Sequence, residues 1–331
     1  LRRSGANEVN SMRVDSVQFQ HRAGDVHYNF RQVEKHTRLA ADENSQLIVF
    51  PECCLTGYWH LRNLSRDALF QLAESAADGP LCVRLLELAR ETGVTIGAGY
   101  IEVDEELRLF NSYFVAMPDG RWANHRKLHC FINEHMESGD SFTTFEHPSG
   151  VCMGVLICYD NNIVENVRAT ALAGAKVLLA PHQTGGCKSG SPYAMGRIDV
   201  SLWKERESRR AELEEEFRGE KGRGWLMRWL PARAHDNGLF VLFSNGVGQD
   251  DNEVRTGNAM ILDPYGRVLT ETWAAEDCRV TANLDLSLIE RSTGARWIKA
   301  RRPELYDSLL NKSDNQSDTR HVRFEYDDEV K

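Results

Sequence analysis

Residues 150–162, GVCMGVLICYDNN, decide how the rest of the chain is read. The stretch opens on a glycine turn and runs through an uninterrupted apolar segment, 151–157. It ends at Cys158, followed by Tyr159, Asp160 and two asparagines. A short apolar run bounded by turn formers reads as a buried strand. The segment 163–173 has helix-forming composition, with Asn and Asp cap residues just ahead of it. Cys158 is therefore expected on a tight turn between a strand and a helix. Backbone N–H groups at a helix start point outward and favour negative charge, which suits a thiolate and then an oxyanion. Free cysteine is also among the most buried residue types, so Cys158 alone reads as a packing residue. What else converges on it matters.

Working outward, residues 47–50 form a second short buried strand, stopped by Pro51 and followed at once by Glu52. Residues 122–130 read as an extended segment carrying Lys127 within HRKLH. Residues 176–180 read as a strand ended by Pro181, with His182 and Gln183 next. Further strands are expected at 12–20, 94–103, 109–117, 240–245, 258–263, 268–272 and 280–285. Helices are expected at 29–44, 64–77, 81–92 and 225–237. Helices and short apolar strands alternate, while Pro118-Asp119-Gly120 and Pro264-Tyr265-Gly266 mark hairpin turns. That mixture implies a layered α/β domain with mixed sheets rather than pure βαβ winding.

Composition narrows the function classes. The chain has 331 residues, 41% hydrophobic and 27% charged, enough for a sizeable core without metal or disulfide staples. A formal net charge of -9 argues against nucleic acid or an anionic membrane as partner. No apolar run reaches the roughly 18 residues of a membrane span, and no apolar signal segment stands near the start. Eight cysteines form neither a C-x-x-C pair nor a spaced Cys/His ligand set, so no metal site is expected. They read as free thiols of a reducing cytoplasm. Residues 1–11 lack apolar periodicity and read as a leader or an artificial remnant. Residues 12–290 read as the domain and 291–331 as a C-terminal extension whose last part, 311–331, is polar and mixed in charge. A charged insertion, 187–223, contains WKERESRRAELEEEFR, a solvated helix with opposite charges three and four apart.

Glu52, Lys127 and Cys158 each lie close to the end of a short apolar or extended segment. In layered α/β folds strand ends converge on one rim, where sites are built. A carboxylate, an ammonium and a thiol gathered there can perform acyl transfer: the carboxylate takes the thiol proton, and the ammonium stabilises the thiolate and the tetrahedral oxyanion. The backbone N–H of Tyr159 is the candidate second oxyanion donor. Singly these residues are unremarkable: Glu52 reads equally as a helix-capping acid, Lys127 as a surface lysine, and Glu134 in INEHMESGD as an exposed loop acid.

The blocks FPECCLTGY around Glu52, HRKLH around Lys127 and GVLICYDNNIVEN around Cys158 resemble the carbon–nitrogen hydrolase (nitrilase) superfamily in type, order and interval. The stretch NAMILDPYGRVLTE resembles its usual strand–turn–strand, and the resemblance spans roughly 12–288. It implies an α/β fold, a four-layer αββα sandwich with mixed β-sheets. It also implies Glu52 as general base and acid, Lys127 as oxyanion stabiliser and Cys158 as nucleophile. Glu134, seven residues after Lys127, is implied as a second acid that positions substrate or Lys127. No cofactor is implied, and pairing into a dimer or larger homo-oligomer through the helix after the cysteine is. Nitrilases proper resemble one another in carrying Trp-Glu after the nucleophile. Tyr159-Asp160 looks instead like the amidase and N-carbamoyl-amine amidohydrolase branches. Ile163-Val164-Glu165 departs from the Phe-Pro-Glu common there, and so does the 187–223 insertion. The expected activity is hydrolysis of a small-molecule amide or carbamoyl compound with release of ammonia. A nitrilase, an acyltransferase and a catalytically silent binding or regulatory relative are the alternatives. Tyr58, Trp59, His129, Tyr159, His182 and Gln183 are the substrate-pocket candidates.

Overall fold

Along Val177–His182 every residue is buried, because the two faces of the strand pack against different layers. The same holds for most of the sheet and explains its lack of polar alternation. The computed structural model describes residues 11–310 and 317–325. Residues 1–10 of the expected leader, 1–11, and the tail segments 311–316 and 326–331 lie outside the described residues, while Ser11 already stands in the first strand.

In chain order the strands are β1 (Ser11–Phe19), β2 (Leu47–Val49), β3 (Thr95–Val103), β4 (Leu109–Ala116), β5 (Trp122–Arg126), β6 (Met136–Glu137), β7 (Thr143–Glu146), β8 (Cys152–Val155), β9 (Val177–His182), β10 (Phe240–Asp250), β11 (Glu253–Thr256), β12 (Met260–Leu262), β13 (Val268–Glu271) and β14 (Cys278–Asp285). The helices are α1 (Val26–Asp42), α2 (Arg66–Leu72), α3 (Pro80–Thr92), α4 (Val164–Leu172), α5 (Val200–Lys204), α6 (Arg206–Arg218), α7 (Arg223–Leu226), α8 (Leu230–Asn237), α9 (Leu288–Arg291), α10 (Thr293–Lys299) and α11 (Thr319–Phe324).

The strands follow the hydrogen-bonded order β5-β4-β3-β2-β1-β10-β9-β8-β7. β1, β2 and β3 run parallel, and so do β8, β9 and β10. β1 meets β10 only where Gln18 faces Asn245 and Phe19 faces Gly246, so the path is two half-sheets joined at a narrow seam. Alternate residues assign each face. Met12, Val14, Leu47, Val49 and Val115 of one half pack against Val155, Ile157, Leu179 and Leu242 of the other, forming the central core. On the outer face of the first half, Ile48, Ile96 and Phe114 pack under α1 and α3. On the outer face of the second, Leu178, Val241 and Phe243 pack under α4 and α8. The result is a four-layer αββα sandwich of mixed strands.

Local departures from expectation have physical causes. β9 continues through Pro181 to His182, because its β8 neighbour pairs only as far as Leu179 and the missing proline N–H is not needed beyond it. The helix expected over 64–77 stops at Leu72; Ala73 turns extended and Glu74 bridges to Glu102. The helix expected over 225–237 is two, α7 and α8, with Pro231 in the first turn of the second. β10 runs on to Asp250 and is met by β11, a strand that sequence periodicity does not reveal. The charged segment is α5 and α6, whose Arg209 bonds Glu205 and Glu212 on the solvent side. Of the extension, α10 seats Gly294 against the end of α8, where a Cβ would stand 2.2 Å from the His235 carbonyl oxygen.

Candidate active site

The site forms where β2, β5 and β8 end. Glu52 and Lys127 are both buried, and the Lys127 ammonium donates to Glu52 Oε1 at 2.6 Å. The same oxygen accepts from Asn111 Nδ2 at 2.7 Å. Asn111 also receives the Lys127 backbone N–H on its carbonyl at 2.8 Å, so one residue of β4 sets both partners. The Cys158 thiol stands near enough for both charges to act on it, Glu52 raising its pKa and Lys127 lowering it. Glu52, Lys127 and Cys158 are therefore gathered at one point, though 31 to 106 positions separate them.

The turns that carry them are held tightly. Cys53 and Cys158 both adopt left-handed backbone, φ 44° and φ 49°, a conformation that costs a β-carbon residue on the order of 1 kcal/mol or more. At the first turn, Gly99 of β3 lets the chain approach: a Cβ there would stand 2.2 Å from the Cys53 backbone nitrogen. At the second, buried Asp160 receives the N–H groups of Ile157, Leu128 and His129 at 3.1, 3.2 and 2.9 Å. Asp160 thus ties the cysteine turn to the segment that follows Lys127. Asn161 Nδ2 completes the turn by donating to the Leu156 and Cys158 carbonyls.

Electrostatics set the resting protonation. Burial, then the Glu52 charge, pushes the Cys158 thiol up to about 12, with Lys127 acting in the opposite direction. The thiol is accordingly neutral at rest. Burial works against the Lys127 charge, but Glu52 overrides it and holds the ammonium well above the ordinary lysine range. A neutral thiol beside a carboxylate and a permanent cation is the arrangement in which thiol deprotonation accompanies attack.

The carbon-nitrogen hydrolase family model matches residues 13–292. The chain belongs to the carbon–nitrogen hydrolase family. This carbon–nitrogen hydrolase is 32% identical to an (R)-stereoselective amidase from Pseudomonas sp, over 84% of this chain and 87% of that one. It is 24% identical to the N-carbamoylputrescine amidase of Arabidopsis thaliana, over 91% and 96% of the two chains. The fold is also that of the amidase from Nesterenkonia sp. AN1, with a TM-score of 0.67 at 21% identity, covering 93% of this chain and 100% of that one.

The hydrolase has a cavity of about 300 Å³ over Cys158. Tyr58, Trp59, Tyr159 and Gln183 line it, as sequence reasoning expects. His129 and His182 do not. His129 stands behind Tyr159, ring centroids 6.0 Å apart. His182 lies in the core against Phe243 and Trp229, shares a 3.2 Å contact with Asn161 Nδ2, and is held well below the ordinary histidine range by burial and Lys127. Glu134 also falls outside the site. Its neighbour Asn133 turns inward to donate to the Leu61 and Leu64 carbonyls, which leaves the Glu134 side chain exposed. Sequence reasoning missed Asn111, Phe131, Trp225, Arg255 and Arg323. Asn111 sits beside Ser112 within a mainly apolar strand prediction, and that polar interruption is the one signal it offered. Arg255 is buried in an ion-pair cluster, Nε to Asp250 at 3.0 Å and Nη1 to Glu253 at 2.9 Å. Asp250 in turn takes His21 and the Trp59 N–H, each at 3.0 Å. Among the described residues no group of three or more His, Cys, Asp or Glu is placed to hold a metal ion, and no helix is long and apolar enough to cross a membrane. All eight cysteines are unpaired.

Proposed function

We propose that this carbon–nitrogen hydrolase cleaves an amide or N-carbamoyl bond of a small molecule through a thioester on Cys158. One observation carries the reading: a buried ammonium, Lys127, bonded at 2.6 Å to a buried carboxylate, Glu52, with a neutral thiol beside both. Cys158 Sγ attacks the carbonyl carbon while Glu52 accepts its proton. The oxyanion is held by the Lys127 ammonium and the Tyr159 backbone N–H. As the C–N bond breaks, Glu52 gives its proton to departing ammonia, leaving a thioester. Water then attacks, passing a proton to Glu52. Collapse breaks the C–S bond, and the departing sulfur recovers the proton as the acid is released. Proton transfer by such a carboxyl contributes typically about 10²–10⁴-fold, and each oxyanion donor about 10²–10³-fold. The names of the relatives, an (R)-stereoselective amidase and an N-carbamoylputrescine amidase, support the bond class.

The test is ammonia release from aliphatic amides, ω-amides, N-carbamoyl amines, N-carbamoyl amino acids and nitriles, on wild type and Cys158→Ala in parallel. Release from an amide or carbamoyl compound that disappears in Cys158→Ala is the expected result. Release only from nitriles would assign a nitrilase instead, and release that survives Cys158→Ala would overturn the mechanism. Pairing through the face of α4 and α8 belongs to the same proposal; exposed Val164, Leu172 and Trp297 on and beside that face support it. Light scattering would read it as a mass of at least twice 37.6 kDa.

A further inference from the structure

The catalytic cavity has a charged end that the hydrolytic mechanism does not use. Two guanidinium groups line it, Arg255 from β11 and Arg323 from α11. The remaining wall is largely aromatic and apolar, with Trp59, Phe131, Met195 and Trp225 in it. Each arginine has other work for most of its donors. Arg255 pairs with Asp250 and Glu253. Arg323 donates through Nη2 to the Lys188 carbonyl at 2.6 Å. Each nonetheless keeps one terminal nitrogen buried without a hydrogen-bond partner among the described residues: Nη2 of Arg255 and Nη1 of Arg323. The Tyr58 hydroxyl, on the same cavity, is likewise buried and unpartnered. Orphaned donors are costly inside a protein, charged ones most of all, and two guanidinium nitrogens and a hydroxyl on one cavity call for an oxygen-rich acceptor.

The acids that balance Arg255 do not face this space. Asp250 and Glu253 are buried and stand outside the cavity wall. The guanidinium edges are the charge that a ligand meets. Their spacing from the reacting end is set by two rings. Lys127 Nζ and Arg255 Cζ each lie 5.7 Å from the centroid of the Tyr58 ring. Lys127 Nζ lies 4.7 Å and Arg323 Cζ 5.6 Å from the centroid of Phe131. These shared rings bound the separations: Arg255 Cζ stands at most 11.4 Å and Arg323 Cζ at most 10.3 Å from the Lys127 ammonium. A short carbon chain with the scissile amide at one end can reach them with the other.

α11 is fastened in place to bring Arg323 there. Phe324 is buried against Phe131, ring centroids 5.9 Å apart, and Arg320 donates to the Phe131 carbonyl at 2.8 Å. With the Arg323–Lys188 bond, these contacts hold the C-terminal helix across two walls of the cavity.

We infer that Arg255 and Arg323 read a carboxylate at the far end of the substrate, so that the preferred substrates are short amides whose acyl chain ends in an acid. A planar carboxylate matches guanidinium donors in geometry and charge, and the apolar wall strengthens that pairing. The inference rests on the amidohydrolase reading for turnover but not for binding, which allows the two to fail separately.

Arg255 is locked in a buried ion-pair cluster, and its loss endangers the fold, so Arg323 carries the test. Glutaramate, uncharged pentanamide and cationic 5-aminopentanamide would be compared as substrates. Wild type should prefer glutaramate over pentanamide by at least about tenfold in kcat/KM, and over 5-aminopentanamide by more. Arg323→Gln should lower the glutaramate-to-pentanamide ratio by about 10- to 100-fold, chiefly through KM, and Arg323→Lys should restore part of it. Equal use of the three amides by wild type, or an equal loss on all three in Arg323→Gln, would overturn the inference while leaving the hydrolase reading intact. Absence of all turnover, or turnover surviving in Cys158→Ala, would instead sink the hydrolase reading. The anion site would then be read by calorimetric binding of glutaramate to Cys158→Ala. Binding weakened by the same factor on adding Arg323→Gln supports the inference; no binding, or binding indifferent to Arg323, refutes it.

Discussion

At the scale of single residues, the site depends on charges that oppose one another across a few ångströms. Glu52 raises the Cys158 thiol and Lys127 lowers it, both on top of burial. Replacing Glu52 by Gln removes the larger of the two charge effects, the raising one. The thiol of Glu52→Gln should therefore titrate clearly below the value of about 12, read as thiolate absorbance or as the pH dependence of alkylation mapped to Cys158. The variant should at the same time lose turnover, because the proposed proton acceptor is gone. A thiol unchanged or raised in Glu52→Gln would disconnect the two side chains. Asn111 acts one step back, bonding the carboxylate through its side chain and Lys127 through its carbonyl. A hydrogen bond to a charged group contributes about 1.5–3 kcal/mol, so Asn111→Ala should lower kcat about 10- to 100-fold. Steady-state kinetics checks it: KM should move much less than kcat, since Asn111 lies outside the cavity wall.

At the scale of elements, the residues that matter sit on turns rather than inside strands and helices. β2 and β8 deliver their chains to Cys53 and Cys158, where left-handed backbone swings Glu52 and the thiol to the same point. Strand β3 makes room for the first turn with Gly99. A methyl group there meets backbone, the Cys53 nitrogen and the Glu52 carbon at 2.2 and 2.7 Å, which cannot rotate away as a side chain would. Gly99→Ala should thus displace the Glu52 turn and cost at least about 10²-fold in turnover. Circular dichroism and the thermal midpoint should show a folded protein of reduced stability. A fully active Gly99→Ala would mean that the turn tolerates movement. Elements were also where sequence reading was most accurate. The apolar runs that became β2, β8 and β9 are legible because each is buried on both faces. The ends were less so: whether β9 passes Pro181 depends on where its neighbour β8 stops, a fact held by another part of the chain.

At the scale of the whole molecule, two half-sheets meet along a seam two residues long and share a single central core. Helices α1 and α3 cover one outer face, and burial there reaches histidines as well. Burial first, then the Lys35 and Arg279 charges, pushes His36 down to about 4. Burial also pushes His147 down to about 4. Unfolded histidine titrates near 6.5, so folding favours the neutral rings. Their contribution is complete above about pH 6.5 and is lost as pH falls towards 4, where the unfolded chain binds protons that the fold excludes. The thermal midpoint should fall across that window. Neither ring nitrogen of His36 has a hydrogen-bond partner among the described residues, so His36→Leu removes no bond. Its midpoint should fall less steeply than that of wild type; an identical slope would show that His36 does not carry the effect.

Local sequence determined the layered α/β class and the buried strands, and it singled out Glu52, Lys127 and Cys158 as the proposed chemical trio. Strand burial and turn chemistry are written in adjacent residues, and three blocks of unusual residue types in fixed order leave few other readings. Tertiary structure alone decided which further side chains join them. Glu134 and Asn133 are chemically similar neighbours, yet only Asn133 faces inward, because the Leu61 and Leu64 carbonyls need donors there. His182 follows a strand end as an active-site histidine would, but the packing of Phe243 and Trp229 makes it a core residue. Arg255 and Arg323 reach the cavity from a hairpin and a C-terminal helix lying 97 and 165 positions after Cys158. Pairings at that distance are fixed by long-range packing and buried charge, which no local window of sequence contains.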